Sequence, residues 1–359
     1  MSSTAQPPRE SPAPDCREVA GHAEANPRRH PRPLGGDTAR FVGPATVSLS
    51  GLVLNNGAGR VQQLRLETKP EWIRARIPGG EGFRRLRQIV HKHHLHTVCQ
   101  EASCPNMGEC WARGTATIMI LGDICTRSCG FCNVRTGKPL PPDPHEPSRV
   151  AASLGIMGLK HVVITCVDRD DLPDGGADHW AQTIRLCHQE CPEMSLEALI
   201  GDFKGDAEAL RTVIDARPEI LSHNLETVRR MHPAVRPQAD YERSLQVLSR
   251  IKNAGLISKT GIMVGIGERD EEVLQLMDDV RRYADTDILT IGQYLRPSRD
   301  HLPIDRWVRP EQFETFRVEG LKRGFRVVQS GPLVRSSYHA EEQAAHLRGK
   351  HCSGHGDLR

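Results

Sequence analysis

Six of the eleven cysteines lie between residues 99 and 132, in two groups of three. The members of the two groups are Cys99, Cys104 and Cys110, followed by Cys125, Cys129 and Cys132. Three thiolates on one short segment can bind three irons of a cubic [4Fe–4S] cluster, whereas a closed electron-transfer cluster takes a fourth cysteine. No fourth cysteine lies close to either group. The spacing therefore predicts two clusters, each with one iron open to another ligand.

Two other kinds of site compete with this interpretation. A disulfide scaffold is typical of small secreted chains, and this chain has 359 residues and no recognisable export signal. A zinc site usually combines two ligands from one motif with two from a second, and the nearest later histidine to these cysteines is His145. The remaining thiols are scattered, which is typical of ordinary buried or surface cysteines: Cys16, Cys166, Cys187, Cys191 and Cys352.

The elements that must position these cysteines follow an alternating pattern from residue 117 onward. Short apolar runs predict strands over 117–121, 162–167, 195–200, 220–223, 260–264, 288–293 and 325–329. Amphipathic runs predict helices over 82–96, 177–191, 207–216, 241–254, 271–284 and 310–323. Strand–helix alternation favours a parallel α/β sheet, here a partial (β/α) barrel with N-terminal and C-terminal extensions. Sites in such folds lie at the carboxyl ends of the strands, and the second cysteine group directly follows the first barrel strand.

Composition divides the chain and limits its partners. Residues 1–68 are rich in Pro, Gly, Arg and Ser and predict a poorly ordered extension. We expect a first-cluster segment over 69–115, a barrel core over 116–330 and a C-terminal extension over 331–359. A formal charge of +3 and 4% aromatic residues argue against nucleic-acid binding, and no apolar run is long enough to cross a membrane. With no apparent signal peptide, we expect a cytoplasmic protein.

The second cysteine group, placed after a strand, resembles the signature of the radical S-adenosylmethionine (SAM) superfamily. The resemblance implies a radical SAM barrel in which the amine and carboxylate of SAM bind the open iron. Cleavage of SAM then yields a 5′-deoxyadenosyl radical that removes hydrogen from unactivated C–H bonds. It also implies that protein side chains position the reactants and exclude water.

The two cysteine groups together are similar to the double signature of the lipoyl synthase family. Neighbouring segments that resemble the family are residues 95–99, 104–111, 131–134, 167–172, 174–177, 222–227 and 261–268. The resemblance extends from about residue 69 to about residue 345. It implies insertion of sulfur at carbons 6 and 8 of an octanoyl chain on a lipoyl carrier domain, with the first cluster as the sulfur source.

The resemblance also implies ligands and partners. The Arg335–Ala340 segment matches a family motif whose serine is the fourth ligand of the first cluster, here Ser337. Asn224 and Glu226 are expected SAM contacts at the barrel mouth, and Gly175 and Gly176 would let the backbone approach the methionyl group. The implied partners are acyltransferase subunits of 2-oxoacid dehydrogenases, the glycine cleavage H protein, a flavodoxin or ferredoxin as reductant, and an iron–sulfur carrier protein.

Small departures and alternatives remain. Cys166 stands where a serine-like residue is more usual, and is expected to be either an inert strand thiol or a thiol open to oxidation. Gly201 stands where proline is more typical. The alternatives are another two-cluster radical enzyme, such as a methylthiotransferase, and a non-catalytic iron–sulfur or zinc protein. Production of 5′-deoxyadenosine distinguishes a radical enzyme from a non-catalytic iron–sulfur or zinc protein.

Overall fold

The computed structural model describes residues 69–74, 79–92, 95–101 and 104–348. These residues belong to one compact unit, Gly59–Arg359. The predicted N-terminal extension 1–68, together with Cys16 and Cys352, lies outside the described residues. Among the described helices, none combines the length and the apolar character that crossing a membrane requires.

An open sheet of eight strands forms the centre of this unit, in the order β1-β2-β5-β6-β7-β8-β9-β10, and β3 pairs with β4 beside it. The strands are β1 His96–Thr97, β2 Thr115–Ile120, β3 Ile124–Cys125, β4 Arg135–Thr136, β5 His161–Cys166, β6 Ser195–Leu199, β7 Ile220–Ser222, β8 Ile257–Val264, β9 Ile288–Gln293 and β10 Val327–Gly331. From β2 to β10 every neighbouring pair in the large sheet is parallel, and only β1 runs antiparallel. The predicted partial barrel is therefore confirmed.

Helices connect the parallel strands from β2 onward, and further helices precede β2 or follow β10. They are α1 Glu81–Lys92, α2 Val98–Glu101, α3 Met107–Ala112, α4 Glu146–Met157, α5 Ala177–Glu190, α6 Ala207–Asp215, α7 His232–Val235, α8 Tyr241–Asn253, α9 Asp270–Ala284, α10 Pro310–Lys322 and α11 Ala340–Arg348. Local signals fix several of their ends. The Asp206 carboxylate accepts the N–H groups of Glu208 and Ala209 at 2.8 and 3.2 Å, and so caps α6 as its sequence predicts.

The core follows from the apolar runs. Strands β2 and β5 are buried along almost their whole length, as strands of parallel sheets usually are. Trp180 of α5 and Phe313 and Phe316 of α10 are almost fully buried in the helical layer. The packing thus holds the carboxyl ends of the strands, where the cysteine-rich loop begins, on a rigid support.

Two sequence predictions need correction, and several helices were not predicted. The helix predicted over 82–96 ends at Lys92, and a short antiparallel strand follows at His96. The last strand lies at Val327–Gly331, two residues later than predicted. Helix α4 was not predicted, because it carries prolines before its first turn and a Gly within it, and its apolar pattern is weak.

Candidate metal centres

The loop after β2 carries Cys125, Cys129 and Cys132, and backbone pairing closes it. Cys125 ends β3, which pairs in parallel with β4, and the Gly137 N–H donates to the Cys125 carbonyl at 3.0 Å. Within the loop, the Cys132 N–H donates to the Cys129 carbonyl at 3.1 Å. The two ends of the loop are therefore joined, and all three cysteines lie on one short closed segment.

Neighbouring elements hold this loop from two sides. The Gly130 N–H donates to Val235 at 2.9 Å, and the Gly130 carbonyl accepts from the Leu302 N–H at 3.0 Å. A Cβ on Gly130 would lie 2.8 Å from the Leu302 side chain, so glycine permits this approach. His301 Nε2 lies 2.9 Å from the Cys132 carbonyl oxygen. The segment that follows β9 thus packs directly against the cysteine loop.

The three thiols are half-buried and interact with one another. Burial raises the pKa of Cys129 to about 12 and that of Cys132 to about 11, and the charges of Glu226 and Asp168 act in the same direction. The Cys125 sulfur accepts N–H groups from Asp168 at 3.3 Å and from Arg127 at 3.4 Å. Such thiols stay protonated at neutral pH unless a metal displaces the proton, which is typical of metal-binding cysteines. Their donor set fits three corners of a [4Fe–4S] cluster.

Arg127, between the first two of these cysteines, is almost fully buried in an ion-pair network. It donates to both oxygens of Asp170 at 2.8 and 2.9 Å and to Asp202 at 2.6 Å. Its Nη1 lies 3.6 Å from Asp168, and Arg243 of α8 reaches Asp202 at 3.2 Å. Since Asp168 and Asp170 follow β5 and Asp202 follows β6, this side chain fastens the cysteine loop to two strand ends.

The predicted SAM contacts lie at the same edge of the sheet. Asn224 Nδ2 donates to Glu226 at 3.0 Å, while Asn224 Oδ1 is buried without a hydrogen-bond partner. Glu226 adopts a left-handed backbone conformation with φ 66°, and its charge acts on Cys129 and Cys132. A buried acceptor without a partner costs free energy, so a ligand donor such as an amine or hydroxyl fits this position.

The two predicted glycines have a local explanation of their own. Gly175 and Gly176 both have positive φ, and Gly176 lies at the N-cap of α5. A Cβ on Gly175 would lie 3.0 Å from Phe203, and one on Gly176 would lie 2.6 Å from Leu121. Packing and turn conformation therefore account for both residues without a ligand, and their contact with SAM stays a prediction.

The first cysteine group and Ser337 line one small pocket. Its walls are Cys99, Cys104, Asn106, Met107, Cys110, Thr115, Thr117, Arg335, Ser337 and Tyr338. Burial raises the pKa of Cys99 to about 11 and that of Cys110 to about 12. The pocket is small, with a cavity volume of about 10 Å³. Three thiols and one hydroxyl are a donor set that fits a [4Fe–4S] cluster with one weak ligand.

Hydrogen bonds bring the C-terminal segment to this pocket. Asn106 Nδ2 donates to the Leu333 carbonyl at 2.6 Å, and Glu109 accepts from Tyr338 at 3.3 Å and lies 3.0 Å from His339 Nε2. Arg113 pairs with Glu341 at 2.9 Å. The sequence motif at Arg335–Ala340 is thereby held against α3, which follows the second cysteine of the group.

Several residues of these sites were not predicted. Arg335 lines the pocket of the first group, its charge acts on Cys104, and no carboxylate among the described residues forms an ion pair with it. Arg127 and Asp202 were missed as well. The sequence did offer a signal for these residues, namely a charged residue inside or beside each ligand motif. Such a residue is informative because a charge that becomes buried needs a counter-ion or an anionic ligand.

The thiols outside the two groups stay predicted to be bystanders. Burial and the charge of Asp168 raise the pKa of Cys166 to about 12, as burial does for the cysteines of the two groups, and its role as an inert strand thiol stays a prediction. Among the described residues, no three His, Cys, Asp or Glu side chains converge on a point as they do around a single metal ion. A four-iron cluster spreads its ligands over separate irons, so its cysteines need not converge in that way.

Two stretches of the chain match known protein families. Residues 119–280 match the radical SAM superfamily, and residues 52–104 match the N-terminal domain of lipoyl synthase of the radical SAM family. The second match begins inside the predicted extension 1–68. The lipoyl synthase of Parabacteroides distasonis is 57% identical over 76% of this chain and 97% of its own length. The lipoyl synthase of Halorhodospira halophila is 54% identical over 80% of this chain and 86% of its own.

Among solved structures, Streptococcus suis SuiB bound to S-adenosylmethionine aligns with a TM-score of 0.48 and 10% identity, over 63% of this chain and 53% of that one.

The parallel barrel with a three-cysteine loop after its first barrel strand defines a radical SAM enzyme. Its cofactors are [4Fe–4S] clusters and SAM. The identity with curated relatives over most of their length shows that the chain belongs to the lipoyl synthase family. It is therefore a sulfurtransferase of this family. This membership decides against the alternatives of a methylthiotransferase and of a non-catalytic iron–sulfur or zinc protein.

Proposed function

We propose that Cys125, Cys129 and Cys132 hold the cluster that binds SAM. Glu226 lies close enough to these thiols for its charge to raise the pKa values of Cys129 and Cys132. The buried Asn224 Oδ1 can accept a hydrogen bond from a hydroxyl or amine of the cofactor. When bound, the cluster and SAM supply a 5′-deoxyadenosyl radical, which can remove hydrogen from an unactivated C–H bond. The protein's part is to fix the loop through Arg127 and to exclude water with the Leu302 segment.

We propose that Cys99, Cys104, Cys110 and Ser337 hold the first cluster, which is the sulfur source. The single observation that carries this assignment is that Ser337, from the far end of the chain, lines the same pocket as all three cysteines. A serine oxygen is a harder ligand than a thiolate and leaves iron more readily. That lability suits a cluster that is taken apart to deliver two sulfur atoms to the octanoyl chain.

Membership in the lipoyl synthase family implies lipoyl domains as substrates in general. We propose that these include acyltransferase subunits of 2-oxoacid dehydrogenases and the glycine cleavage H protein. A flavodoxin or ferredoxin would supply electrons, and an iron–sulfur carrier protein would rebuild the first cluster. Free thiols kept for metal favour a reducing, cytoplasmic location.

Two alanine substitutions test this division of roles. Cys104→Ala is expected to retain cleavage of SAM to 5′-deoxyadenosine but to lose sulfur insertion into an octanoylated carrier domain. Cys129→Ala is expected to lose both activities. Each variant should bind about half the iron of the unaltered protein after anaerobic reconstitution, since each loses one of two clusters.

Cys191→Ala is the matched control, because Cys191 is a half-buried thiol at the end of α5, outside both groups. It should keep full iron content and both activities. If Cys104→Ala and Cys129→Ala gave the same products, the proposed assignment of the two clusters would be wrong.

A further inference from the structure

The segment that follows β9 forms a second cavity, next to the loop of Cys125, Cys129 and Cys132. This cavity measures about 300 Å³ and is lined by Lys69, Leu295, Arg296, Ser298, Arg299, Ile304 and Trp307. That volume lies at the lower end of the range that ligand sites occupy in proteins. We refer to these lining residues as the β9 pocket.

The walls of the β9 pocket combine an apolar surface with positive charge. Leu295, Ile304 and Trp307 are only partly buried, although their side chains are apolar or largely so. Within the described parts of the chain, Lys69, Arg296 and Arg299 form no ion pair with a carboxylate, although Arg296 donates to the carbonyls of Arg299 and His301. An apolar floor with unpaired cations around it is complementary to a partner that presents an apolar side chain flanked by carboxylates.

The β9 pocket lies close to the cysteine loop that is proposed to generate the radical. Except for Lys69, its residues belong to the same segment as His301 and Leu302, which contact the Cys132 carbonyl and Gly130 of the cysteine loop. The segment is held in place from behind, because Tyr294 donates to the Leu302 carbonyl at 2.7 Å and Gln293 accepts from the Val308 N–H at 2.8 Å. A macromolecule bound in the pocket would therefore sit beside the radical-generating loop, on a rigid surface.

We propose that the β9 pocket docks the protein part of the substrate, an acidic surface of the lipoyl carrier domain beside its octanoyl-lysine. This inference rests on the proposed function and adds the place and chemistry of recognition. Trp307 provides the apolar anchor, and Lys69 and Arg299 pair with carboxylates of the carrier. Tryptophan and arginine are the residues most often found at the energetic centres of interfaces.

The test compares two substrates of the reconstituted full-length protein. One is an octanoylated carrier domain, and the other is an octanoyl-lysine tripeptide with neutral neighbours. For Arg299→Glu we expect the KM for the carrier to rise about tenfold, because an attraction becomes a repulsion, with kcat unchanged. The KM for the tripeptide should stay the same. Trp307→Ala should raise the carrier KM by more than tenfold, as loss of a central anchor does.

Arg317→Glu is the matched control, since Arg317 is an exposed arginine on α10 that pairs with Glu314 and does not line the pocket. It should leave both KM values unchanged. Added salt should raise the carrier KM of the unaltered protein more than that of Arg299→Glu, because the salt screens the pairs that this variant has lost.

Each other outcome has a defined meaning. If Arg299→Glu leaves the carrier KM unchanged, or impairs both substrates equally, the docking surface is wrong while the proposed function stands. If the unaltered protein converts neither substrate, the proposed function fails, and the docking proposal fails with it. Sedimentation with phosphatidylglycerol vesicles that is lost in Trp307→Ala would assign the pocket to an anionic lipid surface and overturn the proposal.

Discussion

Individual charged residues decide how the cysteine loop is held. Arg127 makes bidentate contact with Asp170 and a further contact with Asp202, while Arg243 pairs with Asp202 from α8. A buried charge without its partner is strongly unfavourable, so each member of this group depends on the others. The cysteine loop is therefore positioned by ion pairs as well as by its backbone hydrogen bonds.

Arg127→Gln should destabilise the protein and loosen the loop. We expect a loss of about 3 kcal/mol in the free energy of unfolding, because Asp170 and Asp202 lose a buried cation. Urea unfolding of the cluster-free protein measures this loss. Arg135→Gln is the control, since exposed Arg135 pairs with Asp123 on the same loop and should change stability by no more than about 0.5 kcal/mol. Equal effects of the two changes would show that Arg127 has no special positioning role.

His223 gives the protein a predictable response to acid. Its ring is buried, with Nδ1 2.9 Å from the Ile200 carbonyl and Nε2 3.1 Å from the Ser244 hydroxyl, and burial lowers its pKa from 6.5 to about 4. The neutral form is favoured in the fold, so its stabilisation is complete above pH 6.5 and is lost as the pH falls toward 4. Between pH 7 and pH 5 the cost is about 2 kcal/mol.

His223→Asn should therefore reduce the loss of stability between pH 7 and pH 5, measured by urea unfolding of the cluster-free protein. The variant is expected to be less stable at pH 7, because it does not reproduce both hydrogen bonds of the ring. If the stability of the variant fell as steeply with pH as that of the unaltered protein, the assignment to His223 would be contradicted. The pH dependence would then come from other groups such as His232, whose pKa is also lowered by burial to about 4.

At the scale of elements, the strands that support the site carry a buried ion pair across the sheet. Glu197 of β6 and Lys259 of β8 are both fully buried, and Lys259 Nζ lies 2.8 Å from the Glu197 carboxylate. Ser222 of β7, the strand between them, donates to the other oxygen of Glu197 at 3.1 Å. The pair thus joins three adjacent strands whose carboxyl ends lead to Asp202, Asn224 and the loop after β8.

Lys259→Met should cost about 3–5 kcal/mol, because it leaves a buried carboxylate without its cation. The double change Lys259→Met with Glu197→Leu should recover most of that loss, since paired apolar residues of similar size avoid the desolvation of both charges. Thermal and urea unfolding of the three proteins measure the effect. If the double variant were as unstable as Lys259→Met, packing rather than charge would explain the single change.

At the scale of the whole molecule, the segment before the barrel and the segment after it meet at one site. The first cysteine group lies before β2, whereas Ser337 lies after β10, and Asn106, Glu109 and Arg113 bind the C-terminal segment through side chains. The pocket lined by the first cysteine group and Ser337 is complete only when both segments are in place. We therefore expect changes at this contact to affect the first cysteine group more than the second.

Arg113→Glu should release the C-terminal segment, because Glu341 and Glu342 would then face a third carboxylate. Hydrogen exchange should become faster in residues 333–348 and stay unchanged in the loop of Cys125, Cys129 and Cys132. The charge swap Arg113→Glu with Glu341→Arg should slow exchange again. If the swap had no restoring effect, the ion pair would not be what holds this segment.

The sequence by itself determined the chemistry and the class of fold. Cysteine spacing predicts two donor loops, because ligands of one cluster that lie close along the chain can be proposed without tertiary information. Alternation of apolar runs predicted the parallel strands and most helices, since burial on both faces requires continuous apolar segments. Ser337 was reached through its family resemblance, and composition gave no reason to prefer it to any other loop serine.

Only the tertiary structure decided which distant residues meet. The buried pairing of Arg127 with Asp170 and Asp202, the approach of Arg335 to Cys104, and the β9 pocket join segments far apart in the chain. Sequence periodicity describes only neighbours along a helix or strand, so it carries no information on such contacts. They depend on the order of strands in the sheet, which brings the loops after β2, β5, β6 and β9 to one edge.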